Sequence, residues 1–99
     1  LTFLELIRRG EEIAYFQTVQ KEEVDFLVKH GKKVSQLIQV CYDLSNFMTR
    51  DREIKPLLKA SAEFKCNNLL ILTMSEEDNL IIEGKKIIVK PVWKWLLEQ

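Results

Sequence analysis

The run Leu-Leu-Ile-Leu-Thr-Met at residues 69–74 places the strongest constraint on the fold of this chain. Its side chains are almost entirely apolar, as in a strand that is buried on both of its faces. A helical pattern over residues 49–65 precedes this run, so the connection from the previous strand contains a helix. Such a connection suits a right-handed crossover between parallel strands. The sequence therefore predicts an α/β sandwich with a mixed sheet.

Patterning along the rest of the chain predicts the other elements. Alternating apolar and β-branched residues predict three early strands, and His30-Gly31 supplies a tight turn between the second and the third. These three strands are expected to form an antiparallel meander. The predicted order is α-β-β-β-α-β-β-β-α. An opening helix ends at Gly10, and the three early strands span 12–18, 23–29 and 34–42, with a turn at Lys21 and Glu22 between the first two. After the buried strand, a hairpin of 80–83 and 86–90 turns at Gly84. The closing helix spans 92–97 and has Pro91 in its first position.

The second helix carries two features of its own. Pro56 lies inside the helical pattern and lacks a backbone N–H, which predicts a kink or a late start of the helix. Its apolar side is predicted to consist of Ile54, Leu57, Leu58, Ser61, Ala62 and Phe64. In the closing helix Trp93 and Trp95 are two residues apart, so they cannot share a face. One of them is expected to close the core, and the other is left for an external contact.

Length and composition exclude several classes of protein. A chain of 99 residues forms one domain, spanning 1–99. Its 15 basic and 15 acidic residues balance, so it is not an overwhelmingly basic nucleic-acid binder. It also has no apolar run of the length that a membrane-spanning helix needs. Cys41 and Cys66 form no C-x-x-C motif, which excludes a zinc ribbon, and we expect reduced thiols in a cytoplasmic protein. Since helical patterning starts at Leu1, we expect a domain taken from a longer protein.

Strand periodicity brings two polar side chains together. Asp25 in the second strand and Gln39 in the third both point away from the faces formed by Val24 and Ile38. If these strands pair across the His30-Gly31 turn, their oxygens converge as a hard cation such as Mg²⁺ requires. Glu5, at the edge of the apolar stripe of the first helix, could supply a further carboxylate. The alternatives are a solvated Asp25, a Gln39 that serves as a hydrogen-bonding partner, and a surface Glu5.

Several segments carry a resemblance to a known family. They are FLEL at 3–6, EVDFLV at 23–28, LIQVCYD at 37–43, TRDREI at 49–54 and PVWKWLL at 91–97. In combination they resemble the C-terminal domain of a family of archaeal and bacterial AAA-type ATPases. That domain in turn resembles the PD-(D/E)XK, or restriction-endonuclease-like, superfamily. The resemblance covers nearly the whole chain, and it implies an α-β-β-β-α-β core and an ATP-binding portion of the same protein as partner.

The resemblance also implies a metal site for Mg²⁺ or Mn²⁺. Glu5 matches the helical acid of active members, Asp25 the strand aspartate, and Gln39-Val40-Cys41 the (D/E)-X-K segment. Gln has precedent at the first of these positions. Cys41 replaces the lysine that would position the attacking water and stabilise charge on phosphorus, and a neutral thiol does neither. A lysine displaced to Lys55 or Lys59 could restore that function.

Two basic clusters form a candidate nucleic-acid surface. Arg52, Lys55 and Lys59 share one helix face through their i, i+3, i+7 spacing, and Lys32 and Lys33 crowd a hairpin turn. Such clusters contact a phosphate backbone through charge, without selecting a base sequence. The alternative is that these are solvated charges balanced by acidic neighbours on the same helix.

Three hypotheses follow. The first is a non-catalytic, nuclease-like accessory domain of an ATPase that contacts DNA or regulates the ATPase. The second is a divalent-metal-dependent nuclease that uses Glu5, Asp25 and Gln39 with a displaced lysine. The third is a protein–protein interaction module whose basic face meets an acidic partner.

Overall fold

The chain builds a mixed six-stranded sheet with three helices, and the computed structural model describes residues 2–17 and 23–98. The sheet order is β1-β2-β3-β4-β6-β5. The elements along the chain are α1 (Thr2–Arg8), β1 (Glu12–Gln17), β2 (Glu23–His30), β3 (Lys33–Val40), α2 (Phe47–Phe64), β4 (Leu69–Thr73), β5 (Asp78–Ile82), β6 (Lys85–Pro91) and α3 (Val92–Leu97).

Strand pairing confirms the predicted meander, crossover and hairpin. Strands β1, β2 and β3 pair antiparallel in sequence order, and β3 pairs parallel with β4 after the helical connection α2. Strands β5 and β6 pair antiparallel around the turn at Gly84. One pairing was not anticipated: β6 lies parallel to β4, which leaves β5 at the edge of the sheet.

Helices cover both faces of the sheet, and each face has its own apolar cluster beneath them. On one face Ile54 and Leu57 of α2 pack in a cluster that includes Leu37 of β3. On the other face Ile38, the next residue of β3, packs in a cluster with Leu6 of α1 and Trp95 of α3. All five residues of β4 are buried, as its apolar sequence predicts. This burial follows from the helices on either side.

Helix α2 begins earlier than its pattern predicts. The Asn46 side chain accepts hydrogen bonds from the backbone N–H groups of Met48 and Thr49, so it caps the helix, which starts at Phe47. Pro56 lies well inside the helix and does not delay its start. On the buried side, Ala60 is fully buried whereas the predicted Ala62 is exposed. The error follows from helix geometry, because Ala60 is three residues from Leu57 and shares its face, whereas Ala62 is five residues from Leu57 and does not.

The remaining differences concern the ends of elements. Strand β3 ends at Val40 rather than at residue 42. Pro91 is the last residue of β6 and occupies the position before α3, without a side-chain capping bond, instead of being the first residue of the helix. The end of the first predicted strand at Thr18 and the turn at Lys21 and Glu22 lie outside the described residues. Among the described residues, no helix is long and apolar enough to cross a membrane.

Candidate functional site

The ends of β2 and β3 join through side chains rather than through the backbone ladder. The paired residues of the two strands extend to Phe26 and Ile38. One step further, the backbone N–H of Asp25 donates to Gln39 Oε1 at 2.8 Å, and the backbone N–H of Val40 donates to Asp25 Oδ2 at 2.8 Å. The structure therefore brings Asp25 and Gln39 together, as predicted. The period-two pattern behind this prediction fails at Val24, which packs with Leu27 in the cluster under α2 and not with Val28 on the other face.

Gln39 is fully engaged in these contacts. Its side-chain nitrogen donates to the carbonyl oxygens of Glu23 at 2.8 Å and of Glu53 at 3.0 Å. Gln39 is 1% exposed, so its amide ties β2, β3 and α2 together in the interior. The orientation of the amide is unambiguous, because a reversed amide would set its oxygen against two carbonyl oxygens. Gln39 thus has the contacts of a hydrogen-bonding partner, which was the alternative to a metal ligand.

Cys41 lies where the resemblance places a lysine. It is buried, and its Sγ donates to the Asp43 carbonyl oxygen at 3.4 Å. Burial raises the pKa of the Cys41 thiol, and the carboxylates of Glu53, Glu76 and Asp43 raise it further, while the hydrogen bond to Asp43 opposes them. The thiol is therefore protonated at neutral pH and brings no positive charge to this position.

Glu53 of α2 is a second carboxylate beside Asp25. Burial raises the pKa of Glu53, and the neighbouring charge of Asp25 raises it further, with Arg52 opposing and Glu23 adding to the effect. Sequence reasoning missed Glu53, because only the docking of α2 on the sheet brings its carboxylate near β2. Within residues 2–17 and 23–98, however, no three His, Cys, Asp or Glu side chains gather closely enough to hold a metal ion.

Glu5 sits apart from the Asp25–Gln39 pair. Its carboxylate accepts from both Arg8 (2.9 and 2.6 Å) and Arg9 (2.7 Å), and Arg9 also bonds to the Trp95 carbonyl oxygen. That contact lies on the face of the sheet covered by α1 and α3, whereas Gln39 contacts α2 on the other face. The Arg8 and Arg9 guanidinium groups lower the pKa of Glu5 to about 2.

Replacing Glu5 with Gln is expected to change the acid stability of the domain. A carboxylate whose pKa is depressed on folding stabilises the native state above its unfolded pKa, 4.5, and this contribution is lost as the pH falls toward about 2. The difference in Tm between the native chain and Glu5→Gln should therefore shrink steadily between these two values. Thermal unfolding followed by circular dichroism across this range measures it. Asp51→Asn, at an exposed carboxylate of α2, is the control. If the Tm difference between the native chain and Glu5→Gln varied with pH no more than that of Asp51→Asn, the expectation would be contradicted.

The basic residues predicted to contact nucleic acid are exposed. Arg52, Lys55 and Lys59 point outward from α2, and Lys32 and Lys33 lie at the turn between β2 and β3. The two sets are on different elements of the fold. Each is accessible to a large polyanion without any rearrangement of the core.

Comparison of the chain with protein-family models, with curated proteins and with solved structures finds no match. The class that the fold defines is a mixed α/β domain, with a six-stranded sheet and three helices in residues 2–17 and 23–98.

Proposed function

We propose that this chain is a nuclease-like domain without hydrolytic activity that contacts the backbone of nucleic acid through the basic face of α2. The proposal includes the restriction-endonuclease-like ancestry and the ATP-binding portion of the parent protein that the sequence resemblance implies. The observation that carries it is the state of Gln39, whose amide is consumed by structural hydrogen bonds in the place where a catalytic site needs a metal ligand.

The surroundings of Gln39 support the loss of hydrolysis. A metal-dependent phosphodiesterase needs ligands for the cation and a positive charge near the scissile phosphate. Asp25 already accepts a backbone hydrogen bond, Cys41 is a neutral buried thiol, and Glu5 is paired with two arginines. The two candidates for a displaced lysine, Lys55 and Lys59, both point outward from α2.

The exposed face of α2 supports the contact with nucleic acid. Cationic side chains one and two turns apart match a polyanion whose charges are closely spaced, and such binding releases counterions. Because the net charge of the chain is zero, the attraction must come from this local cluster rather than from the whole molecule.

Reversing the charges of Arg52, Lys55 and Lys59 to Glu is expected to abolish measurable binding to duplex DNA at moderate salt. The native chain should show a plot of log K against log salt with a slope of about −2.7, since three phosphates are neutralised. Fluorescence anisotropy of a labelled duplex over a salt series measures both quantities. Reversal of Lys32 and Lys33, the other exposed basic cluster, is the comparison. Because the proposal places the contact on α2, this second variant should keep most of the DNA binding, and an equal loss would contradict that placement.

The same samples test hydrolysis. We expect no cleavage of DNA or RNA with Mg²⁺ or Mn²⁺ at high protein concentration. Metal-dependent cleavage that disappears in Asp25→Ala would overturn the proposal and favour the nuclease with a displaced lysine. Salt-insensitive or absent DNA binding in the native chain, together with tight binding to an acidic protein, would favour the interaction module.

A further inference from the structure

A groove of about 520 Å³ lies between α2 and β5, on the face of the sheet that α2 covers. Its floor is apolar. Ile54 and Leu58 line it from α2, and Leu80 and Ile82 line it from β5. Ile54 is buried and the other three are half-buried, so apolar surface remains open to the groove. The volume lies in the range of small-molecule sites, so the groove has room for a ligand with an apolar body.

Charged side chains of both signs surround this floor. Arg50 and Asp51 lie at the end of the groove where α2 begins, and Glu83 lies just past the end of β5. The guanidinium of Arg50 is 4.0 Å from Asp78 Oδ2, beyond hydrogen-bonding distance, and its Nε has no hydrogen-bond partner in the described part of the chain. The groove therefore offers both donors and acceptors around an apolar floor. A flat ligand with apolar faces and polar edges fits this arrangement better than a ligand of a single charge.

Lys55 connects the groove to the basic face of α2. It lines the groove and is also the middle member of the set Arg52, Lys55 and Lys59. Residues three and four apart are neighbours on a helix surface, so these three cations form a row beside the groove. Under the proposed function, on which this inference rests, the row holds phosphates of nucleic acid. A strand bound in this way has its nucleotides next to the mouth of the groove.

We propose that the domain binds single-stranded nucleic acid and that one base of the strand enters this groove. A nucleobase is apolar on its faces and carries donors and acceptors on its edges. Its face lies on the apolar floor, its edge bonds to Arg50 and Asp51, and its phosphate stays outside on Lys55. In a duplex the bases are paired and stacked, so none can enter the groove without leaving the helix. The preferred ligand is therefore a single strand.

Strands that carry equal charge but differ in their bases test this proposal. The probes are a labelled oligothymidylate of about ten nucleotides, within the size of a typical single-strand site, an abasic strand of the same length and backbone, and a duplex of that length. Oligothymidylate should bind at least about fivefold more tightly than the abasic strand, since burial of about 40 Å² of apolar surface is worth this factor. It should also bind more tightly than the duplex, although the duplex carries more charge. Fluorescence anisotropy measures the three affinities.

Leu80→Ser tests where the base lies. The substitution removes apolar surface from the floor of the groove, so oligothymidylate should lose most of its advantage over the abasic strand. Leu97→Ser makes the same change at a residue that is 76% exposed on α3, and this control should keep the advantage. Circular dichroism establishes that both variants are folded.

Amide shifts of the native chain give a second readout that needs no substitution. Addition of oligothymidylate should shift the amides of Leu58, Leu80 and Ile82, because these residues line the groove that the base enters. Addition of the abasic strand should leave these three amides in place and shift only those near the basic face of α2.

Two results would overturn the proposal of a bound base and leave the proposed function standing. The first is equal binding of oligothymidylate and the abasic strand, both lost when Arg52, Lys55 and Lys59 are reversed to Glu, since phosphates alone would then account for binding. The second is a preference for oligothymidylate that Leu80→Ser retains, with shifts around the exposed Tyr42 and Trp93 instead of the groove. If the charge reversal leaves all binding unchanged, the proposed function itself fails, and the bound base with it.

Discussion

Gln39→Glu is expected to lower the free energy of unfolding by about 3–5 kcal/mol at pH 7, because it breaks a buried polar network and leaves a charge without a partner. The substituted carboxylate would keep the contact with neither the Glu23 nor the Glu53 carbonyl oxygen, since both need a donor. It would also be repelled by Asp25 and Glu53. The loss should be smaller at pH 4, where a protonated carboxyl regains one donor.

Urea unfolding at the two pH values measures this change, and Gln36→Glu is its matched control. Gln36 lies on the same strand but is only half-buried, so the same chemical change there should cost less than about 1 kcal/mol. A Gln39→Glu variant as stable as the native chain at pH 7 would show that the Gln39 amide is not what holds β2, β3 and α2 together.

The substitution also bears on function, because it recreates the acidic residue of an active nuclease motif. We expect it to unfold the site rather than activate it.

Arg9→Ala is expected to cost about 2–4 kcal/mol, since it removes several hydrogen bonds, two of them partly buried, and a cation–π contact in one step. The guanidinium lies 4.4 Å from the centre of the Trp95 ring and donates to the carbonyl oxygens of Trp95 at 2.7 Å and Glu98 at 2.5 Å. It thereby ties α1 to the end of α3. Its loss exposes the carbonyl groups at the end of α3 and frees one side of Trp95.

The neighbouring Arg8 provides the control for this prediction. Arg8 bonds to the same Glu5 carboxylate but is half exposed and reaches no part of α3. Arg8→Ala should therefore cost clearly less, because exposed ion pairs contribute little. Arg9→Lys should fall between the two, since an ammonium cannot reach both carbonyl oxygens and the ring at once. Chemical denaturation followed by tryptophan fluorescence reports on all three variants, and equal losses for Arg8→Ala and Arg9→Ala would contradict this account.

Local patterns determined the secondary structure with small errors. The order of nine elements, the meander, the helical crossover and the buried strand β4 all follow from side chains repeating every two or every 3.6 residues. The division of the two tryptophans between core and surface follows as well, but the structure alone shows that Trp95 is the buried one and Trp93 the exposed one. Most errors fall at the ends of elements, where a single capping side chain such as Asn46 decides the boundary, and one falls inside α2, where Ala60 and not Ala62 is buried.

The candidate site was predictable only in part. Period-two alternation brought Asp25 and Gln39 onto one surface, because the pairing of consecutive strands is a local property. The partners of Gln39 were not predictable, since one of them is the backbone of Glu53 in α2. The separation of Glu5 from Asp25 could not be derived either, because it depends on which face of the sheet α1 covers.

By itself, the sequence determined which segments are helices and strands and which side chains are apolar on each. Only the tertiary structure decided that β6 lies between β4 and β5, that β5 forms an open edge, and that Arg9 reaches the end of α3. Periodicity records how each segment divides its side chains between core and solvent. The choice among partners distant in the chain depends on how segments pack and share hydrogen bonds, and no single segment contains that information.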